Sequence, residues 1–130
     1  MNAVNTEVNP AGIAAPAANY AHAVLSMGPQ RWLHTSGVVP VRPDGTVPAD
    51  LVSQAETVWA NIRAMLAEAS MTPSDIVSVT TYVTPGHDLR PVMAVRDRFL
   101  GGHRAASTLL VVPELAQAAW LIEIQAVAAA

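Results

Sequence analysis

Apolar residues recur at two different spacings along this chain, and the changes of spacing mark its elements. From Asp50, the positions Leu51, Ala55, Val58, Trp59, Ile62, Met65, Leu66 and Ala69 fall three or four residues apart, while Gln54, Glu56, Arg63 and Glu68 take the other side. That spacing predicts an amphipathic helix capped by Asp50, whose stripe needs a sheet to lie on. Thr72-Pro73-Ser74-Asp75 breaks the pattern, and Ile76 to Val83 resumes as a β-branched run that reads as a central strand. A second helix is expected after Asp88. Pro91 sits in its first turn, Leu89, Val92, Met93, Phe99 and Leu100 form its apolar side, and Gly101-Gly102 ends it. Two more strands follow. Ser107 to Val112 is stopped by Pro113, and in Trp120 to Ala128 the residues Ile122, Ile124 and Ala126 alternate with Glu123 and Gln125.

Ahead of the first helix, Tyr20 to Met27 reads as extended, Gly28-Pro29-Gln30 as a turn, and Arg31 to Gly37 as the returning strand of a hairpin. The returning strand ends abruptly at Ser36-Gly37, with Pro40 just beyond. Glycine at such an end lets backbone N–H groups approach another chain or a small ligand, because no Cβ stands in the way. The first nineteen residues, rich in Ala, Asn and Pro, read as a flexible arm, leaving residues 20–130 as one domain. The order β-β-α-β-α-β-β predicts an α+β fold with two helices on one face of a sheet. The other face then needs cover.

Composition sharpens that need. Only 13% of the 130 residues are charged, about half the ~25% usual in soluble domains. With 52% hydrophobic residues, so thin a polar surface points to exterior covered by another subunit. There is no cysteine, which removes disulfides and thiolate zinc sites and suits a reducing cytoplasm. No apolar run is long enough for a membrane span. The arm has neither a basic start nor an apolar core and carries Glu7, unlike a secretory signal. A net charge of −3 without a Lys/Arg cluster argues against nucleic acid, and so against RNA cleavage.

Four pieces, in this order, carry a family resemblance: Tyr20-Ala21-His22-Ala23; Thr35-Ser36-Gly37 followed by Val38-Val39-Pro40; Gln54-Ala55 near the start of the helix; and Ile122-Glu123-Ile124. From about Tyr20 to Ala128 the chain resembles the Rid family (YjgF, reactive intermediate deaminase, also called endoribonuclease L-PSP). The resemblance implies a Rid/chorismate mutase-like fold and a homotrimer with a central barrel and ligand clefts at the subunit boundaries. It also implies hydrolysis of enamines and imines, such as 2-aminoacrylate, to 2-keto acids and ammonia without metal or organic cofactor. In such proteins an arginine just before the Ser of the penultimate strand clamps the substrate carboxylate, and a glutamate of the final strand positions water. Here the clamp position is Ala106, within Ala105-Ala106-Ser107, and Met93 aligns with an asparagine common in the second helix. Arginine grips a carboxylate with two parallel charge-assisted bonds, and alanine offers none. Arg104, two positions earlier, is the candidate replacement. Little acceleration of 2-aminoacrylate hydrolysis is therefore expected.

Glu123 is the candidate catalytic residue, since a carboxylate between Ile122 and Ile124 is costly to bury without a reason. Its bland alternatives are a solvated barrel lumen or an ion pair with an arginine across the trimer. Ser36 and Gly37 are expected to supply backbone donors, and to meet Glu123 across a seam between copies of the chain. Tyr20 and Ser107 complete the binding set with Met93, Arg104 and Ala106; the ordinary rivals are arm packing for Tyr20, a strand hydroxyl tied to its neighbour for Ser107 and a solvated turn for His103-Arg104. His22, His34, His87 and His103 fall on separate elements and form no metal-ligand spacing. The enzyme reading is hydrolysis of an imine, enamine or similar labile bond in a small organic substrate. Its rival is a non-catalytic small-ligand-binding or chaperone-like module.

Overall fold

A computed structural model describes residues 4–130. Helix α1 spans Leu51–Glu68, with the Asp50 carboxylate accepting the Ser53 N–H at 2.9 Å. Strand β4 follows at Ile76–Val83, helix α2 at Arg90–Leu100, strand β5 at Ala106–Val111 and strand β6 at Ile122–Ala129. Earlier in the chain lie β1 (Asn5–Val8), β2 (Ala23–Ser26) and β3 (Trp32–His34). The main sheet has the order β3-β6-β4-β5, with β4 and β5 parallel and the other neighbours antiparallel. Ala55, Val58, Trp59, Ile62 and Leu66 of α1, and Val92, Val95 and Leu100 of α2, share one core with Val79, Val83, Ile122, Ile124 and Ala126. No helix among the described residues is long and apolar enough to cross a membrane.

Three expectations are corrected. The segment before Tyr20 is not a loose arm throughout, because Asn5–Val8 pairs antiparallel with Ala23–Ser26; residues 1–3 of the expected arm lie outside the described residues. The hairpin of the second and third strands does not form. Gly28 takes φ +60° and Pro29 has no N–H, so the chain swings away from β2. Gln30 and Arg31 then both donate to the Ala130 carbonyl, at 2.8 and 2.9 Å, which delivers β3 to β6. Finally, Gln54 is not on the solvent side of α1 but 1% exposed, and Met65, placed in the stripe, is 39% exposed.

Strand alternation separates the two faces of the sheet. Val79, Thr81 and Val83 point to the helices and are buried, whereas Ser78, Thr80 and Tyr82 are half-buried on the opposite face. The register adds Glu123, Gln125 and Val127 of β6, Ala106, Thr108 and Leu110 of β5, and His34 of β3 to that same open face. None of these is fully buried. This is the uncovered face that the sequence predicted, and Glu123 stands on it.

Candidate functional site

Thr35 creates the first half of the site. Its N–H donates to the Ala126 carbonyl at 3.0 Å, its hydroxyl accepts the Ala126 N–H at 2.9 Å, and the same hydroxyl donates to the Ser36 carbonyl at 2.7 Å. Pairing resumes at Val38, whose N–H donates to Ile124 at 2.7 Å. Between these two points the chain spends one residue more than β6 does, so Ser36-Gly37 bulges out of the ladder, a common device for aiming a strand's residues beside a site. The abrupt strand end read from the sequence is this bulge.

Gly37 and Glu123 are in contact within one chain. A Cβ built on Gly37 would overlap the Glu123 carboxylate, with Cδ only 2.7 Å away. The expected meeting across a seam between copies is thus corrected for this pair, because Val38 and Ile124 are bridge partners and hold their neighbours together. On its other side the bulge lines a groove of about 730 Å³ under α1, with Ser36, Gly37, Val39, Asn61, Met65 and Glu68 in its wall.

Of the remaining predicted residues, Tyr20, Arg104, Ala106 and Ser107 lie elsewhere, at the Tyr20 turn and the start of β5. The Tyr20 hydroxyl accepts the Ala17 N–H at 3.3 Å, and the Ala21 N–H donates to the Ala105 carbonyl at 3.0 Å, stitching this turn to the strand. Ala106 faces the open side and Ser107 the helix side. Arg104 does not reach Ala106 or Ser107 with any bond of its own; its Nε is paired with the Glu7 carboxylate at 3.0 Å. The newly found strand β1 supplies that partner, which holds Arg104 toward Glu7. Met93 is half-buried on α2.

Sequence reasoning missed Arg96. Its side chain is 8% exposed, with Nη1 3.4 Å from the Ser107 hydroxyl and Nη2 3.4 Å from the Asn19 carbonyl beside Tyr20. Position 96 is four residues after Val92 and three before Phe99, on the apolar side of α2, but beside Asp97 and Arg98 that spacing alone does not set it apart from a solvated position.

These two halves lie apart. Leu110 is opposite Tyr82, and Tyr82 is opposite Glu123, so Ala106 is four residues along and two strands across from the carboxylate, roughly 16 Å away. A small substrate cannot touch both within one chain.

The histidines are spread: His22 contacts the Ala14 carbonyl at 2.6 Å, His103 the Ile76 carbonyl at 2.7 Å and His87 the Thr84 hydroxyl at 3.0 Å, while His34 stacks on Trp32. Among the described residues no three His, Asp or Glu side chains gather as metal ligands.

The family model for endoribonuclease L-PSP matches residues 12–130. A RutC family protein of Haemophilus influenzae is 42% identical over 66 residues, 50% of this chain and 51% of that protein. The 2-iminobutanoate/2-iminopropanoate deaminase of Escherichia coli K12 is 38% identical over 72 residues, 55% of this chain and 56% of that protein. The chain thus spans about half the length of the curated relatives it matches. YyfB of Yersinia pestis, a Rid family protein whose function is described as unknown, superimposes with a TM-score of 0.86 at 29% identity, covering 98% of this chain and 100% of that one.

Proposed function

The chain belongs to the endoribonuclease L-PSP family, also called the Rid family, and on that footing we propose that it hydrolyses a small imine or enamine, with Glu123 handling the water. The observation that carries this reading is the carboxylate of Glu123 lying directly against the backbone of Gly37. A carboxylate beside bare backbone can take a proton from water while that water's oxygen adds to the C=N carbon, and can return it to the nitrogen. The carbinolamine then collapses to a carbonyl and ammonia, so only water is consumed. An enamine enters the same path after protonation at carbon. The steps call for a proton carrier and a held substrate, and for no metal or organic cofactor.

The roughly 16 Å between Glu123 and Ala106 favours a working site shared between copies. β3 and β5 are the two edges of the main sheet, so a head-to-tail ring brings one copy's bulge beside the next copy's Tyr20 and Ser107. A homotrimer with the open sheet faces turned inward is the arrangement we propose, working in the cytoplasm on a small organic substrate, with neither nucleic acid nor membrane as partner. A second reading, a small-ligand-binding module without catalysis, is favoured by Ala106 alone.

Hydrolysis of freshly generated 2-iminopropanoate, followed as ammonia release, separates the two. Wild type is expected to exceed the buffer rate, and Glu123→Gln to fall to it. Equal rates for the two proteins would remove the catalytic reading.

A further inference from the structure

Arg96 is a cation held away from water with incomplete compensation. Its Nε and Nη2 both point at a single oxygen of Asp97, at 3.1 and 3.0 Å, and Asp97 is itself partly exposed. Its other contacts, to the Asn19 carbonyl and the Ser107 hydroxyl, are neutral and long at 3.4 Å. A guanidinium has five N–H donors. One carboxylate oxygen and two stretched neutral acceptors leave Nη1 with unused capacity, and a buried charge so poorly matched is expensive. Every element around it belongs to the half-site already described: Ser107 follows Ala106, Asn19 precedes Tyr20, and Met93 lies one turn earlier on α2.

We propose that Arg96 is the seat of the substrate's carboxylate, reaching from the helix layer to the strand where residue 106 offers no charge. This rests on the reading that the protein acts on carboxylate-bearing imines. A planar carboxylate would replace the two long contacts with short charge-assisted ones along the Nη1–Nη2 edge, leaving Asp97 on the Nε side. The Asn19–Tyr20 turn would form the outer wall. With Arg96 behind Ser107, Ala106 no longer implies weak handling of 2-aminoacrylate. The guanidinium has moved from strand to helix, and Arg104, tied to Glu7, is a bystander.

Pyruvate, the keto acid that hydrolysis of 2-iminopropanoate would release, is the probe. Its binding to the whole protein is measured by calorimetry beside turnover of the imine. Arg96→Gln should weaken pyruvate binding at least ten-fold, and Asp97→Asn should tighten it several-fold by removing the competing oxygen. Unchanged binding in Arg96→Gln, or no pyruvate binding by wild type at millimolar concentration, overturns the proposal. If Arg96→Gln does not fold, Asp97→Asn decides: tighter binding supports the seat, and equal or weaker binding overturns it. Arg96-dependent pyruvate binding in a protein without imine hydrolysis would uphold the seat while removing the hydrolytic reading. Full turnover in Arg96→Gln would do the reverse.

Discussion

A single missing Cβ governs the relation between Gly37 and Glu123. Gly37 is not in the left-handed region, so alanine is not strained by its backbone angles there, and the three nearest atoms it would meet all belong to the flexible Glu123 side chain. Gly37→Ala should therefore melt within about 3 °C of wild type. Its turnover should fall about a hundred-fold, the usual consequence of moving a reacting group by an ångström. A thermal scan and an ammonia assay on the same sample check both halves; undiminished turnover would show that Glu123 works from another position. Much of this was readable beforehand, because a glycine at the end of a β-branched run and a glutamate between isoleucines are each conspicuous. Arg96 was not, because a lone arginine among charged neighbours looks like the solvated side of a helix. Only the approach of β5 and the Asn19–Tyr20 turn shows that it faces inward.

Elements place these residues, and Gln54 shows how firmly. Its side-chain nitrogen donates to the carbonyls of Pro48 and Ala119, both at 2.8 Å, and its oxygen accepts the Leu121 N–H at 2.8 Å. One buried amide thereby fastens the start of α1 to the segment entering β6, two residues before Glu123. Gln54→Ala would leave two carbonyls and one N–H without partners out of water. The expected loss is about 3 kcal/mol, to be read from urea unfolding, and a loss below about 1 kcal/mol would mean that relaxation or water replaces all three bonds. Periodicity located α1, β4, α2 and the last two strands because each buries a full stripe or an alternating face. It failed for β1 and for the pairing of β2. Asn5–Val8 is a short strand with mostly exposed residues, and its partner is chosen by the swing at Gly28-Pro29, a tertiary outcome that local spacing does not encode. At the start of α2 the cap position is Leu89, which makes no side-chain capping bond, and Asp88 stands one residue before it. Asp88 accepts the Arg90 N–H at 3.0 Å, and the Arg90 side chain, its leading influence, draws its carboxyl down to about 2.

At the scale of the molecule, the two half-sites pose a problem that one chain cannot solve. The bulge with Glu123 and the start of β5, where Arg96 of α2 meets Ser107, belong to opposite regions of a sheet whose strand order keeps them apart. The open face between them carries Tyr82, Thr80, Thr108 and Leu110 with no cover of its own. If a ring closes head to tail, each working site takes Glu123 from one copy and Arg96 from the next, and two different inactive variants must then complement each other. Glu123→Gln and Arg96→Gln should each be nearly inactive alone. Unfolded and refolded together in equal amounts, they should recover about a quarter of wild-type turnover, because a seam is intact only when an Arg96→Gln copy presents Glu123 to a Glu123→Gln copy presenting Arg96. Mixing without refolding should restore less if the ring exchanges subunits slowly. No recovery after refolding, with both variants assembled by light scattering, would place the two residues in one copy's site after all and contradict the sheet order as the reason for assembly.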